Sequence, residues 1–114
     1  MKHYLAVPDS FKGTLTSGQI CDILADCVRR CDPSARLRAI PVADGGEGTV
    51  DAFLAALGGE KITLPVAGPY FEECTAFYGI LEGSPRTAVI EMAACAGLPL
   101  VEGREDPLRT TTYG

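Results

Sequence analysis

Two carboxylates and three glycines crowd into the stretch Ala43-Asp44-Gly45-Gly46-Glu47-Gly48-Thr49. Glycines there let the backbone turn sharply and come close to a ligand, because they reach positive φ and carry no side chain. A helical pattern begins directly afterwards, so unpaired N–H groups and the positive end of a helix dipole are expected at this point. That combination invites a phosphate, yet Asp44 and Glu47 would repel one. The conflict disappears if Mg2+ stands between carboxylate and phosphate, or if a carboxylate takes the proton of a substrate hydroxyl. Both roles belong to phosphoryl transfer onto an alcohol. Asp44 is therefore the candidate catalytic base and, with Glu47, the candidate metal ligand. Gly45 and Gly46 are candidates for close backbone approach to the substrate. The competing explanation is that Asp44 or Glu47 simply caps the helix. The spacing fits neither G-x-x-x-x-G-K-[ST] nor G-x-G-x-x-G, so the stretch is neither a P-loop nor a dinucleotide fingerprint.

A second set lies on Asp9-Ser10-Phe11-Lys12-Gly13. Lys12 could hold a phosphate or carboxylate as a point charge, and Ser10 could donate a hydrogen bond to the same anion. A solvated turn, with Asp9 capping local N–H groups, is the favoured reading of these residues taken alone. Glu91 closes the apolar run Ala88-Val89-Ile90, so its carboxylate is either at an exposed strand end or paired inside a site. Thr110, Thr111 and Thr112 could present hydroxyls and N–H groups to an anion, or form a surface strand. His3 is the only histidine and precedes the first strand, which argues against a histidine-based triad or metal cluster.

The elements that must position these groups follow from apolar spacing. Tyr4-Leu5-Ala6-Val7, ended by Pro8, reads as a buried strand of a parallel sheet. Thr16 with Gln19 makes a capping box that starts a helix, and Ile20, Ile23, Leu24, Cys27, Val28 and Cys31 give it an apolar face until Asp32-Pro33. Leu37 to Val42 is the second strand, leading into the glycine-rich loop. Val50, Phe53, Leu54 and Leu57 define the second helix, closed by Gly58-Gly59. The order βαβα implies parallel strands. If the two strands are neighbours, the loops after Val7 and Val42 leave the same sheet edge, where open α/β sheets bind ligands.

Beyond Gly59 the pattern changes. Ile62 to Val66, Thr75 to Leu81 and Thr87 to Met92 are strand candidates separated by Ala67-Gly68-Pro69-Tyr70 and Gly83-Ser84-Pro85, without helices between them. Ala93 to Leu98 reads as a short helix and Glu102 to Pro107 as a charged loop. The expected organisation is residues 1–66 as the N-terminal part of a Rossmann-like α/β domain and residues 67–114 as the start of a second domain with mixed or antiparallel strands.

At 114 residues with a formal net charge of −5, the chain has the size and balance of one folded domain. It carries no basic run, and its aromatics are not interleaved with arginines, so neither a nucleic-acid surface nor an anionic-membrane surface is expected. The five cysteines form no C-x-x-C pair and read as small apolar residues of a reducing compartment. The i, i+4 pair Cys27 and Cys31 is read as that rather than as a metal site. No apolar run approaches membrane-spanning length and no signal-peptide core follows Lys2-His3, so the expectation is a cytoplasmic, soluble protein.

Taken in order, four segments resemble the glycerate kinase family of bacterial glycerate and aldarate breakdown. They are Pro8-Asp9-Ser10-Phe11-Lys12-Gly13; Pro41-Val42-Ala43-Asp44-Gly45-Gly46-Glu47-Gly48-Thr49; Ile90-Glu91-Met92-Ala93 with Ala96-Gly97-Leu98-Pro99-Leu100; and Pro107-Leu108 with Thr110-Thr111-Thr112-Tyr113-Gly114. Cys95 stands where the family usually has a small residue. The resemblance implies ATP-dependent, magnesium-assisted phosphorylation of D-glycerate to a phosphoglycerate, with the 2-position favoured over the 3-position. It implies two-domain α/β proteins, one domain doubly wound, parallel and three-layered, the other inserted into it. Their chains are several times longer. This chain therefore resembles the N-terminal portion, ending within Thr-Thr-Thr-Tyr-Gly, and the segment by itself is expected to be inactive. On this resemblance Asp44 is the base or magnesium ligand and Lys12 binds the glycerate carboxylate or the transferred phosphate. Asp9, Ser10, Gly45, Gly46, Glu47, Glu91 and Thr110 to Thr112 complete the substrate and phosphate contacts. The oligomeric state is left open. Two rival readings are a non-catalytic α/β module that binds an anion or docks a partner, and an isomerase of sugar phosphates that works without ATP.

Overall fold

Thr16 and Gln19 start the first helix in the way their spacing predicts. In the computed structural model, which describes residues 1–114, Thr16 Oγ1 accepts the Gln19 N–H at 3.2 Å and Gln19 Oε1 accepts the Thr16 N–H at 2.9 Å. Each side chain satisfies the other's backbone donor. Helix α1 runs Ser17–Cys31 and ends at Asp32, whose N–H still reaches the Val28 carbonyl. Strands β1 (His3–Ala6) and β2 (Arg36–Ala39) flank it and pair in parallel, from His3 opposite Arg36 to Ala6 opposite Ala39. This βαβ arrangement lies in a first compact unit, Met1–Asp44.

Three details of this unit differ from expectation, the first being that the strand read as buried exposes Tyr4 and Leu5, with Val7 just after it exposed too. The packed stripe of α1 is Ile20 and Cys21, buried, with Leu24, Ala25 and Val28 half-buried, while Ile23, Cys27 and Cys31 are exposed. A stripe stepping by four from positions 20 and 21 runs along one side of the helix, and it leaves 23 and 27 on the flank and 31 at the helix end. The second strand stops at Ala39 rather than Val42, since Pro41 brings no N–H to the ladder. The backbone nevertheless continues beside β1, with Ile40 N–H on the Ala6 carbonyl at 2.9 Å and Val42 N–H near the Pro8 carbonyl at 3.4 Å.

The second unit, Gly45–Gly114, opens with helix α2 (Thr49–Leu57), closed as expected at Gly58, whose N–H bonds the Leu54 carbonyl. Strands β3 (Gly59–Ala67), β4 (Glu73–Leu81) and β5 (Thr87–Ile90) form an antiparallel meander in that order. Pro65 is tolerated because β3 lies at the sheet edge, where a missing donor breaks no second ladder. Helix α2 packs on β4 through Val50, which is fully buried, and Leu54. Gly79 makes that contact close, because a Cβ there would stand 3.2 Å from Val50 Cγ1 and 3.3 Å from Leu54 Cδ2. Ala76, Leu81 and Val101 complete this small core. Helix α3 (Ala93–Ala96) and a 3-10 turn (Leu98–Val101) follow β5, so the short helix expected over Ala93 to Leu98 is split at Gly97. No helix is long and apolar enough to cross a membrane.

Candidate functional site

In the first unit, Asp9, Ser10 and Lys12 lie on the loop from β1 to α1. Asp9 Oδ1 accepts the Ser10 N–H at 2.7 Å, which is the local capping expected of an Asp-Ser turn. Phe11 and Leu15 then close a bridged turn that holds Lys12 exposed. The ion pairs of this unit join other residues, Lys2 with Asp32 and Arg29 with Asp26.

The group that organises this loop, Ser17, was not among the candidates. Its Oγ donates to the Pro8 carbonyl at 2.6 Å and accepts the Val42 N–H at 3.0 Å, and the side chain is only 9% exposed. One hydroxyl on the first turn of α1 thus ties together the exits of both strands. The backbone leading to Asp44 leaves the sheet alongside the backbone leading to Asp9, as parallel pairing requires. Asp44 itself is exposed.

In the second unit, Gly45 to Gly48 form a turn in which Gly46 O accepts both the Thr49 hydroxyl, at 2.7 Å, and the Thr49 N–H, at 3.2 Å. Gly48 is the N-cap residue of α2 with φ of 89°, a conformation that favours glycine, and it has no side chain to cap with. The cap comes instead from Glu91, immediately after β5. Its Oε1 accepts the Gly48 N–H at 3.2 Å and its Oε2 accepts the Val50 N–H at 3.1 Å, and the residue is 3% exposed. The exposed strand end considered for Glu91 does not hold: the carboxylate is interior and paired with backbone amides. The expectation that the first amides of α2 stand unpaired does not. A carboxylate at the positive end of the helix is electrostatically favoured, and it satisfies donors that would be costly to bury alone. Glu47 points to the surface side of the same turn, where it is exposed.

Thr110 to Thr112 are held in a loop elsewhere in this unit rather than in a strand. The Thr110 N–H bonds the Asp106 carbonyl at 3.1 Å, the Thr111 N–H bonds the Pro69 carbonyl at 2.8 Å, and the Phe71 and Tyr113 rings lie 6.0 Å apart. The Gly68–Glu72 turn that receives this loop is itself braced by Arg104, from the stretch expected to be a charged loop over Glu102 to Pro107. Arg104 donates to Glu72 Oε1 and to the Leu100 carbonyl, both at 3.1 Å, and lies over the Tyr70 ring. The Tyr70 hydroxyl returns a bond to the Arg104 carbonyl. The Glu72 carboxyl is held below its ordinary range, first by its own backbone N–H and then by the Tyr70 N–H and Arg104, against partial burial. Spacing does not signal this brace, whose partners are 32 residues apart.

All five cysteines are free thiols, and burial pushes the Cys74 thiol up, with Cys95 and Glu72 adding to the effect. Cys74 is therefore a poor nucleophile. No three His, Cys, Asp or Glu side chains gather into a metal-holding group. Mg2+ commonly takes one or two carboxylates and fills its remaining positions with water and substrate phosphate oxygens. Asp44 ends the first unit and Glu47 lies at the start of the second, and each, being exposed, is the kind of carboxylate that mode uses.

The model of the glycerate kinase family matches residues 4–114. The chain is 44% identical to a glycerate kinase of Halalkalibacterium halodurans over 115 residues, covering 100% of the chain and 30% of that protein. It is also 44% identical to a glycerate kinase of Bacillus subtilis, covering 96% of the chain and 29% of the relative. A third relative, the glycerate 2-kinase of Escherichia coli, is 44% identical over 94% of the chain and 28% of its own length. Among solved structures, the "putative glycerate kinase 2" from Salmonella typhimurium LT2 superposes with a TM-score of 0.72 at 38% identity, over 99% of this chain and 30% of that one. The chain thus spans between 28% and 30% of the length of these curated relatives.

Proposed function

The chain belongs to the glycerate kinase family, as its N-terminal portion, and from that premise we propose that the full-length protein transfers a phosphoryl group from ATP to D-glycerate. The 2-hydroxyl is the favoured acceptor, in line with the relative from Escherichia coli that is named a glycerate 2-kinase. The observation that carries this reading is the family match over residues 4–114, which includes every candidate residue of both loops.

In this reading Asp44 accepts the proton of the glycerate hydroxyl as that oxygen bonds to phosphorus and the bond from phosphorus to the ADP oxygen breaks. Lys12, exposed and in no ion pair of its unit, holds the glycerate carboxylate or the transferred phosphate. Asp9 supports a substrate hydroxyl, Ser10 donates a hydrogen bond to the anion that Lys12 holds, Gly45 and Gly46 allow close approach, and Thr110 to Thr112 line the cleft from the second domain. Asp44 and Glu47 would hold Mg2+, which supplies positive charge to the phosphate oxygens when bound.

The same reading assigns residues 1–66 to a Rossmann-like layered domain and 67–114 to the start of the inserted one. Exposed apolar side chains on β1 and just after it, Leu5 at 66% and Val7 at 52%, support further layers over β1 and β2 in the full-length protein. The test is to incubate the full-length protein with ATP, Mg2+ and D-glycerate and to follow phosphorus by NMR. A 2-phosphoglycerate signal with matching ADP is expected; ATP left intact over many hours would end the proposal.

A further inference from the structure

Glu91 is the most completely buried charged residue of the chain, and both of its oxygens face backbone amides rather than open space. Its position is built from several elements. Gly79 lets α2 settle closely on β4 through Val50 and Leu54. Gly79 pairs with Val89 and Tyr78 with Ile90, so the residue after Ile90 leaves the sheet at the start of α2. One carboxylate then takes the N–H groups of Gly48 and Val50, on either side of the residue whose N–H and hydroxyl both close on Gly46 O. The turn carrying Glu47 is fixed at its far end by a group 43 residues away.

We propose that Glu91 is a positioning residue that acts from behind the site: its carboxylate locks the Gly45–Gly48 turn and closes the α2 N-terminus to phosphate. The anion therefore meets the turn through its carboxylate side, with a cation or a hydroxyl between, and not through the helix amides. This rests on the proposed phosphotransferase reading of the turn and adds to it where the transferred group cannot sit. A second negative charge at that helix end would have to displace Glu91 or lie against it, and both oppose binding.

The test uses the full-length protein as wild type, Glu91→Gln and Glu91→Asp, with Glu60→Gln on exposed β3 as the control. Glutamine keeps the shape but can accept only one of the two N–H groups and sets its amide donors against the other. Hydrogen exchange at the Gly48 and Val50 amides is expected to speed up about 10-fold or more in Glu91→Gln, with β4 amides unchanged as proof of folding. Turnover should fall roughly 10- to 100-fold with KM for glycerate and for ATP within about threefold, the signature of lost positioning rather than lost contact. Glu91→Asp, which keeps the charge at shorter reach, should recover part of both. Inorganic phosphate titrated into the wild type should leave the Gly48 and Val50 amide shifts unmoved. Normal turnover in Glu91→Gln, or phosphate protecting those two amides in the wild type, overturns the proposal. If the wild type does not phosphorylate glycerate, the kinase reading fails, while the exchange and phosphate arms still decide whether Glu91 closes the helix end.

Discussion

Ser17 Oγ accepts the backbone N–H of Val42 at 3.0 Å across 25 residues of sequence, while donating its own proton to the Pro8 carbonyl. This single hydroxyl sets the spacing between the two strand exits from which Asp9 and Asp44 are presented. Ser17→Ala removes both bonds at a buried position and leaves the Val42 N–H with only the longer 3.4 Å approach to Pro8. A loss of about 1–3 kcal/mol is expected, the usual cost of leaving buried backbone groups poorly paired. Denaturant titration of the full-length protein measures it, and an unchanged midpoint would show that the hydroxyl holds nothing.

The two loops should fail in different ways when their charges are removed. Asp44→Asn keeps the shape of the side chain but cannot take a proton, so kcat should drop roughly 10²- to 10⁴-fold with KM for glycerate little altered. Lys12→Ala removes the point charge proposed to bind an anion in ground and transition state alike, so KM should rise about 10-fold or more. Steady-state kinetics on the full-length protein separate these outcomes. Full activity in either variant would remove that residue from the mechanism.

What could be read from the chain alone was whatever is written within a few residues. The Thr16–Gln19 capping box, the Gly58 helix end and the strand–helix order depend on neighbours in sequence, and each appears in the structure. The contacts that shape the candidate site are long-range. Val50 meets Glu91 41 residues on, and that meeting depends on the register of β4 against β5, which apolar alternation does not specify to the residue. Ser17 was hidden for another reason. It follows the N-cap Thr16, and at that place a serine ordinarily reads as helix surface. Glu91 drew notice as a carboxylate after an apolar run, yet nothing local could distinguish a ligand-binding group from a cap supplied by a distant strand.

The Glu72 carboxyl should make stability depend on pH in acid. Its folded-state pKa lies below the ordinary value of 4.5, chiefly through backbone N–H groups with Arg104 adding. A depressed carboxyl contributes stability that is complete above its unfolded pKa and is lost as pH falls through the folded one. The window is therefore below about pH 4.5. Glu72→Gln should flatten the decline of the denaturation midpoint between about pH 6 and about pH 3 and leave a constant deficit at neutral pH. Because the side chain is 38% exposed, solvent screens the Arg104 pair, and Arg104→Met should remove less of the acid dependence than Glu72→Gln does. An equal slope in wild type and Glu72→Gln would assign the acid sensitivity to other carboxyls.

Three glycines of the second unit rank by what a methyl group would meet. Gly59 has a φ of 135°, a region closed to other L residues, and a Cβ there would collide with the Ile80 carbonyl oxygen and the Leu81 Cα. Neither atom can move without breaking the β3–β4 ladder at the Gly59–Leu81 pair. Gly59→Ala should cost about 3 kcal/mol or more, or prevent folding. Gly83, with φ of 114° and nothing within 4 Å, carries only conformational strain, on the order of 1–2 kcal/mol for alanine. Gly79 has no positive φ, but its Cβ would press on Val50 Cγ1 and Leu54 Cδ2, tips that can shift slightly. Its cost, about 1–3 kcal/mol by overpacking, should shrink when Val50 is also made alanine, because the two changes share one space. Thermal and chemical unfolding of the five variants, the Gly79→Ala/Val50→Ala double and the Val50→Ala single included, tests the ranking. Additive effects of Gly79→Ala and Val50→Ala would mean that α2 does not rest on β4 at this glycine.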